Sequence, residues 1–234
     1  MAANERYARQ VMLEGFGEDG QHRLLGSSVL VVGVGGLGSA AAAYLAGAGV
    51  GHIGLADPDT VSLSNLQRQV LYAEAEIGEP KTACAARRLR ALNSEVRFTL
   101  HPEGLTEANA RELAGEYDLV VDCTDNYPAR YLIDEACLSA GKPWIYGAIG
   151  EFAGQVAVMN GPRRHLRYTD LYPDRETLCR QPRKAAGVLG AVPGVIGAIE
   201  ANEAVKLLTG MGDTLDGRLL VMDLLTMQAA VMEI

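Results

Sequence analysis

At 234 residues, with 48% hydrophobic and 21% charged side chains, the chain is long enough for one α/β domain with a sizeable core, with or without a small appendage. A formal net charge of −8 argues against nucleic acid or a membrane surface as the main partner. The four cysteines, Cys84, Cys123, Cys137 and Cys179, form no C-x-x-C pair, which excludes a zinc-ribbon or thioredoxin-type pattern and gives no sign of a disulfide framework. Residues 1–10 carry charges and no apolar stretch, unlike a signal peptide, so the expected compartment is the cytoplasm.

The leader, residues 4–10, is charged and reads as a solvated helix face, and residues 18–25 read as a short helix. From Arg23 to Asp57 no charged residue occurs, a run long enough to span a bilayer, since a span needs ~20 apolar residues. Its glycines argue otherwise. Val29-Leu30-Val31-Val32 runs into Gly33-Val34-Gly35-Gly36-Leu37-Gly38, then an alanine-rich segment, then Ile53-Gly54-Leu55-Ala56-Asp57. This is the grammar of strand, phosphate loop, helix and strand, with a G-x-G-x-x-G fingerprint and an acid near the roughly 20-residue spacing that suits a ribose hydroxyl. Gly33 permits the tight turn, Gly35 admits a phosphate to the backbone, and Gly38 lets the helix lie close to the strand. The helix start offers N–H groups to an anion. The stretch therefore binds a nucleotide, and by itself fits an NAD enzyme equally well.

Residues 58–69 are polar and turn-rich, as functional loops often are. Glu79-Pro80-Lys81 opens a helix to about residue 92, with proline favourable at its start. A strand over 96–100, a helix over 106–114, a buried strand over 119–123, a helix from Pro128 to near Gly141, and strands over 143–149 and 155–159 follow. Thr124-Asp125-Asn126 lies at the carboxyl end of a strand, where α/β sheets bind ligands. Residues 160–186 are basic and weakly periodic and read as a long loop, uncommon unless functional or disordered. A helix over 192–208 and closing strands over 219–223 and 227–232 complete the chain, with no internal repeat.

The ordered set Arg6-Tyr7-Ala8-Arg9-Gln10, G-x-G-G-x-G, Asp57-Pro58-Asp59, Ser64-Asn65-Leu66-Gln67-Arg68-Gln69, Lys81 and Cys123-Thr124-Asp125-Asn126 resembles the MoeB/ThiF/HesA family, bacterial relatives of ubiquitin-activating enzymes. The likeness runs from about Glu5 to the C-terminus. It implies one adenylation domain over residues 1–234, with a nucleotide-binding half at 25–150 and a crossover loop, helix and closing strands at 151–234. The fold implied is α/β, a Rossmann-like doubly wound, mostly parallel sheet with antiparallel C-terminal strands. The activity implied is an ATP-dependent adenylyltransferase. The C-terminal glycine of a small ubiquitin-like sulfur carrier ending in Gly-Gly attacks the α-phosphate, giving an acyl-adenylate and pyrophosphate for later sulfur transfer.

By that resemblance Gly33, Gly35, Gly36, Gly38, Asp57, Asp59, Ser64, Asn65, Leu66, Gln67, Arg68, Lys81, Asp125 and Asn126 form the nucleotide site. Arg68 and Lys81 neutralise phosphates, and Asp125 holds magnesium. A homodimer is implied, with Arg9, ahead of Arg6, reaching the partner's phosphates. The chemistry agrees: a carboxylate approaching a triphosphate brings anions together, and fixed cations must offset them. Magnesium prefers carboxylate and phosphate oxygens.

The chain departs from the pattern where relatives carry two zinc-binding C-x-x-C pairs. Those thiolates are missing, so no zinc is expected and the closing strands must hold by packing alone. Cys179 lies in the basic segment, where some relatives have a cysteine that attacks the acyl-adenylate or bonds the carrier. Nearby Arg180 and Arg183 would favour its thiolate, and the alternative is a plain loop cysteine. The basic segment, with Arg163, Arg164 and Arg167, is expected to attract an acidic carrier. The competing readings are an NAD-dependent oxidoreductase, which leaves Arg68, Lys81 and Asp125 without a task, a catalytically silent nucleotide-binding scaffold, and an adenylating tRNA-modifying dehydratase.

Overall fold

The structure, a computed structural model, describes residues 5–181 and 187–234. In chain order the elements are α1 (Ala8–Val11), α2 (Gly17–Gly26), β1 (Ser28–Val32), α3 (Gly36–Ala48), β2 (His52–Ala56), α4 (Lys81–Leu92), β3 (Arg97–His101), α5 (Ala110–Glu116), β4 (Leu119–Asp122), α6 (Tyr127–Ala140), β5 (Trp144–Gly150), β6 (Ala153–Met159), α7 (Tyr168–Leu171), α8 (Arg175–Arg180), α9 (Ala191–Thr209), β7 (Arg218–Asp223) and β8 (Gln228–Glu233). Among the described residues no helix is long and apolar enough to cross a membrane.

The strands form one sheet in the order β3-β2-β1-β4-β5-β6-β7-β8. β3 to β5 pair parallel, and β5 to β8 pair antiparallel. The alternation of strand side chains divides the core into two layers. Val29, Val31, Ile53, Leu55 and Val121 join one cluster with α2, α3, α4 and α9, while Leu30, Val32, Val120, Trp144 and Tyr146 join the other with α5 and α6. Both faces are covered, so the parallel strands are apolar on both sides, as the sequence runs required. The chain leaves β1 toward β2 on one side and reaches β4 on the other, which opens a crevice beyond the carboxyl ends of β1 and β4. Ligands bind at such switch points.

The fold is the expected one, with four local corrections. The leader is docked rather than solvated: Tyr7 is buried, accepts a bond from Asn93 and donates to Glu95. The helix expected over 106–114 starts at Ala110, because Asn109 turns back, accepting from Thr106 N–H and donating to the Gly104 carbonyl; a short polar side chain here competes with the helix. The segment expected as loop carries α7 and α8, pinned by the buried carboxylate Asp134, which takes the Tyr168 N–H and the Arg167 guanidinium, 2.7 Å away. Finally, every residue of β8 is exposed, so it is held by its ladder to β7 rather than by packing.

Candidate active site

The glycine turn is built from three sides. Gly33 has φ +87°, and a Cβ on it would lie 2.7 Å from the carbonyl of Cys123, just past β4. A side chain is thus excluded by conformation and by space. The Val34 N–H donates to Asp57 Oδ2 at 2.7 Å, and the Val34 carbonyl accepts from Tyr72 at 2.6 Å. α3 follows with Gly35 at its N-cap and no side chain capping it, so the first N–H groups of a long helix are left for an anion. Asp57 also accepts from the Asp59 N–H at 2.8 Å. Burial raises its pKa, and Lys81 and these two N–H groups oppose the rise. The acid expected to take ribose hydroxyls therefore also fixes the turn.

Around this turn lies a cleft of about 640 Å³ lined by Gly33, Gly35, Gly36, Asp57, Asp59, Asn65, Arg68, Lys81, Asp125 and Asn126. Lys81, buried at the start of α4, reaches Asp59 at 2.9 Å. Arg68 donates to the Ser64 carbonyl at 3.0 Å. The segment around it is helical: the Leu63–Asn65 turn continues with Arg68 and Gln69 N–H groups bonding the Asn65 carbonyl. Residues at i, i+3 and i+4 share a face of such a turn, so Asn65, Arg68 and Gln69 meet the cleft together. Asn126 caps α6, accepting from Ala129 N–H at 2.9 Å, beside exposed Asp125.

Other expected residues lie elsewhere. Gly38 does not line the cleft; a Cβ there would sit 2.0 Å from the Gly33 carbonyl, so its place is the helix–strand contact. Ser64, Leu66 and Gln67 do not line it either. They sit off that shared face: Leu66 packs on the core, and the Gln67 carbonyl abuts Gly190 before α9. Arg9 is exposed on α1, and Cys179 on α8 packs half-buried against the second core layer. Neither lines the cleft. Arg183 and Lys184 fall outside the described residues. Of the arginines expected to attract a carrier, Arg167 is committed to Asp134, Arg164 bonds the Ile234 carbonyl, and Arg163 pairs with Asp213 at 3.6 Å. At least Arg167 is therefore structural.

Sequence reading missed Gln69 and Arg130 as site residues. Gln69 is buried in the cleft wall and its Oε1 has no hydrogen-bond partner. Such an acceptor fits the N–H or O–H of a nucleoside. The repeat of Gln within the 64–69 motif was the available signal. Arg130, on α6, lines the cleft with its guanidinium 3.5 Å from Asp122, itself fully buried behind Thr124. Burial acts most strongly, lowering the Arg130 pKa, and the Asp122 carboxylate together with Tyr146 and Tyr168 turns the net shift upward. Glu200 of α9 lies behind this wall, outside the cleft lining. It is fully buried, its carboxyl 3.9 Å from the Cys123 thiol, and burial with Asp122 beside it pushes its pKa well up. The cleft thus sets a turn that receives anions, three basic side chains (Arg68, Lys81 and Arg130) and the exposed carboxylates Asp59 and Asp125 around one space. Such a set can bind a nucleoside polyphosphate and offset charge that grows there.

Residues 7–234 match the model of the ThiF family. A sulfur carrier protein adenylyltransferase of Thermus thermophilus is 47% identical over 226 residues, spanning 94% of this chain and 83% of the relative. The adenylyltransferase and sulfurtransferase MOCS3 of Arabidopsis thaliana is 43% identical over 98% of this chain, which spans 49% of that relative. The probable adenylyltransferase/sulfurtransferase MoeZ of Mycobacterium tuberculosis is 44% identical over 95% of this chain and 58% of its own length. The chain thus spans about half of MOCS3. Among solved structures, E. coli MccB with ATP superposes with a TM-score of 0.85 at 22% identity, covering 99% of this chain and 72% of that one. PaaA gives 0.80 at 24%, covering 98% and 73%. These two likenesses speak for the fold.

Proposed function

The chain belongs to the ThiF family, and from that premise we propose that its cleft adenylates the C-terminal carboxylate of a small ubiquitin-like sulfur-carrier protein, as the names of its relatives indicate. One observation carries the reading: Gly36, Arg68, Lys81 and Asp125, scattered through the sequence, line the same cleft at the switch point of the sheet. A carboxylate oxygen forms a bond to the α-phosphorus of ATP, the bond to the bridging oxygen breaks, and pyrophosphate leaves with its electron pair. No proton need move.

Each residue's task follows from its chemistry. The α3 N-terminus and the backbone of Gly35 and Gly36 receive phosphate oxygens. Asp57 and Gln69 receive nucleoside donors. Arg68 offers a planar fork to phosphate, and Lys81 a point charge. Asp59 holds Lys81 until an anion arrives. Asp125 and the phosphates would hold magnesium, which withdraws charge from the phosphate oxygens. Asn65 and Asn126 orient the polar rim. We place the enzyme in the cytoplasm as a homodimer. Arg9, outside its own cleft, serves the partner's, and Cys179 acts only after the adenylate has formed. An oxidoreductase would leave Arg68, Lys81 and Asp125 without work.

The test is pyrophosphate–ATP exchange with magnesium and candidate ubiquitin-like proteins. Exchange that appears only with a carrier ending in Gly-Gly is expected. Nucleotide binding without exchange for every such carrier, or reduction of NAD, would sink the reading.

A further inference from the structure

The nucleotide cleft adjoins a second, smaller cleft of about 270 Å³. Tyr127, Arg130 and Ile149 belong to both walls, and of these only Arg130 is a cation. We propose that Arg130 binds the free carboxylate of the incoming chain terminus at this junction, and so makes a C-terminal acid a condition of acceptance. The inference rests on the adenylation reading and names the residue that recognises the second substrate.

Arg130 is held on every side except toward the clefts. Asp122 lies 3.5 Å from its Nε. Nη2 donates to the Thr124 carbonyl at 3.0 Å and the Gly147 carbonyl at 3.5 Å. The guanidinium carbon sits 5.5 Å from the Tyr146 ring centre and 5.9 Å from that of Tyr127. Its Nε is buried with no hydrogen-bond partner. A guanidinium fixed this way loses little freedom on binding an anion, and with Nη2 committed to two carbonyls its Nη1 is the nitrogen left to donate to a carboxylate oxygen.

The charge balance permits it. Asp122, Glu200 and Arg130 share one buried region, and two ionised carboxyls there would repel an arriving acid. Burial raises the pKa of both Asp122 and Glu200, and Asp122 raises that of Glu200 further. Both shifts disfavour a second negative charge beside Arg130.

The second cleft suits a narrow, extended peptide. Ala148, Gly150, Ala153 and Gly154 line it without bulk. Tyr146 and Tyr172 both donate to Gln155 Oε1, at 3.2 and 2.8 Å. That commits the carbonyl end of the Gln155 amide and leaves its NH₂ as a donor for a peptide carbonyl.

The experiment compares a short synthetic peptide ending in Gly-Gly as free acid and as C-terminal amide, titrated by calorimetry against the full chain with a non-hydrolysable ATP analogue. Wild type is expected to bind the acid at least about tenfold more tightly, the scale of hydrogen bonds to charged groups. Arg130→Lys should keep part of that preference. The double variant Arg130→Met with Asp122→Asn avoids stranding a buried carboxylate. It should bind acid and amide alike, and its melting should remain cooperative. A preference for the acid retained undiminished in the double variant, or absent from wild type, overturns the proposal. Carrier-dependent exchange by wild type is measured alongside, so failure of the adenylation reading shows there and not in the acid–amide ratio.

Discussion

Lys81 illustrates how a single charge is kept ready. Its amine is buried but its partner Asp59 is mostly exposed, with 68% of that side chain open to water. Breaking the pair leaves Asp59 in water, and buried Asp57 loses a nearby cation but keeps the Val34 and Asp59 N–H donors, so the fold should tolerate the change at small cost. Lys81→Met is expected to lower carrier-dependent exchange about 100-fold, the scale of losing one transition-state donor, with a melting temperature near that of wild type. Exchange within a few-fold of wild type would remove Lys81 from the chemistry. Glu200 shows the opposite economy. Its pKa in the fold lies well above the ordinary 4.5, through burial first and Asp122 second. Between the two values the folded state keeps a proton that the unfolded state releases. Stability is thus full below about pH 4.5 and declines as pH rises toward the folded pKa. Asp122, raised by burial despite Arg130, adds the same sign, and the Cys123 thiol, also raised, stays protonated. Glu200→Gln keeps the shape without the proton. Relative to wild type it should gain at least ~1 kcal/mol in urea unfolding between about pH 5 and pH 8, and parallel pH profiles would show that Glu200 ionises freely.

At the scale of elements, two of the three glycines in α3 have opposite consequences. At Gly38 a Cβ would meet the Gly33 carbonyl at 2.0 Å, and that backbone belongs to the turn itself. Gly38→Ala must push the helix off β1 or distort the turn, at a cost of about 1–3 kcal/mol, and nucleotide affinity should fall with stability. At Gly47, one residue from the end of the same helix, nothing lies within 4 Å of the added carbon. Gly47→Ala should instead stabilise by up to ~1 kcal/mol. Thermal unfolding of the pair with and without ATP checks this, and equal effects at the two sites would contradict the close-approach account. The same element logic explains the 64–69 motif. Because it folds as a helical turn, only every third or fourth residue faces the cleft, and the intervening Leu66 and Gln67 brace the core and α9.

For the whole molecule, the open question of chemistry is what completes the cleft. Arg9 stands outside its own site, so the dimer proposal requires that it act across an interface. Arg9→Ala and Lys81→Met subunits should each be weak alone. In a randomly paired equimolar mixture roughly a quarter of the sites would combine an intact Lys81 with a partner's Arg9, since closed dimers pair the same surfaces. Recovery of about 25% of wild-type exchange is expected, and no recovery after exchange of subunits would leave Arg9 a surface residue. The molecule also shows how closely the fold and the site were legible. The Gly33–Gly38 turn, Asp57 and Lys81 could be read because each depends on a few neighbours in sequence: a positive φ, a helix start, a strand end. Arg130 and Glu200 could not. Each sits in a helix whose pattern allows a solvent face, and each is buried only because another element closes over it.

What the chain determines locally is therefore the alternation of strand and helix, the anion-receiving turn, and the order of the motifs, since φ/ψ preference and apolar period act over short spans. What tertiary structure decided is which motif residues share a space. Tyr7 became core, Arg167 became a clasp on Asp134, and Arg130 became the wall between two clefts. Charge and burial depend on distances between segments far apart in the chain, and those distances exist only once the sheet has closed in its order.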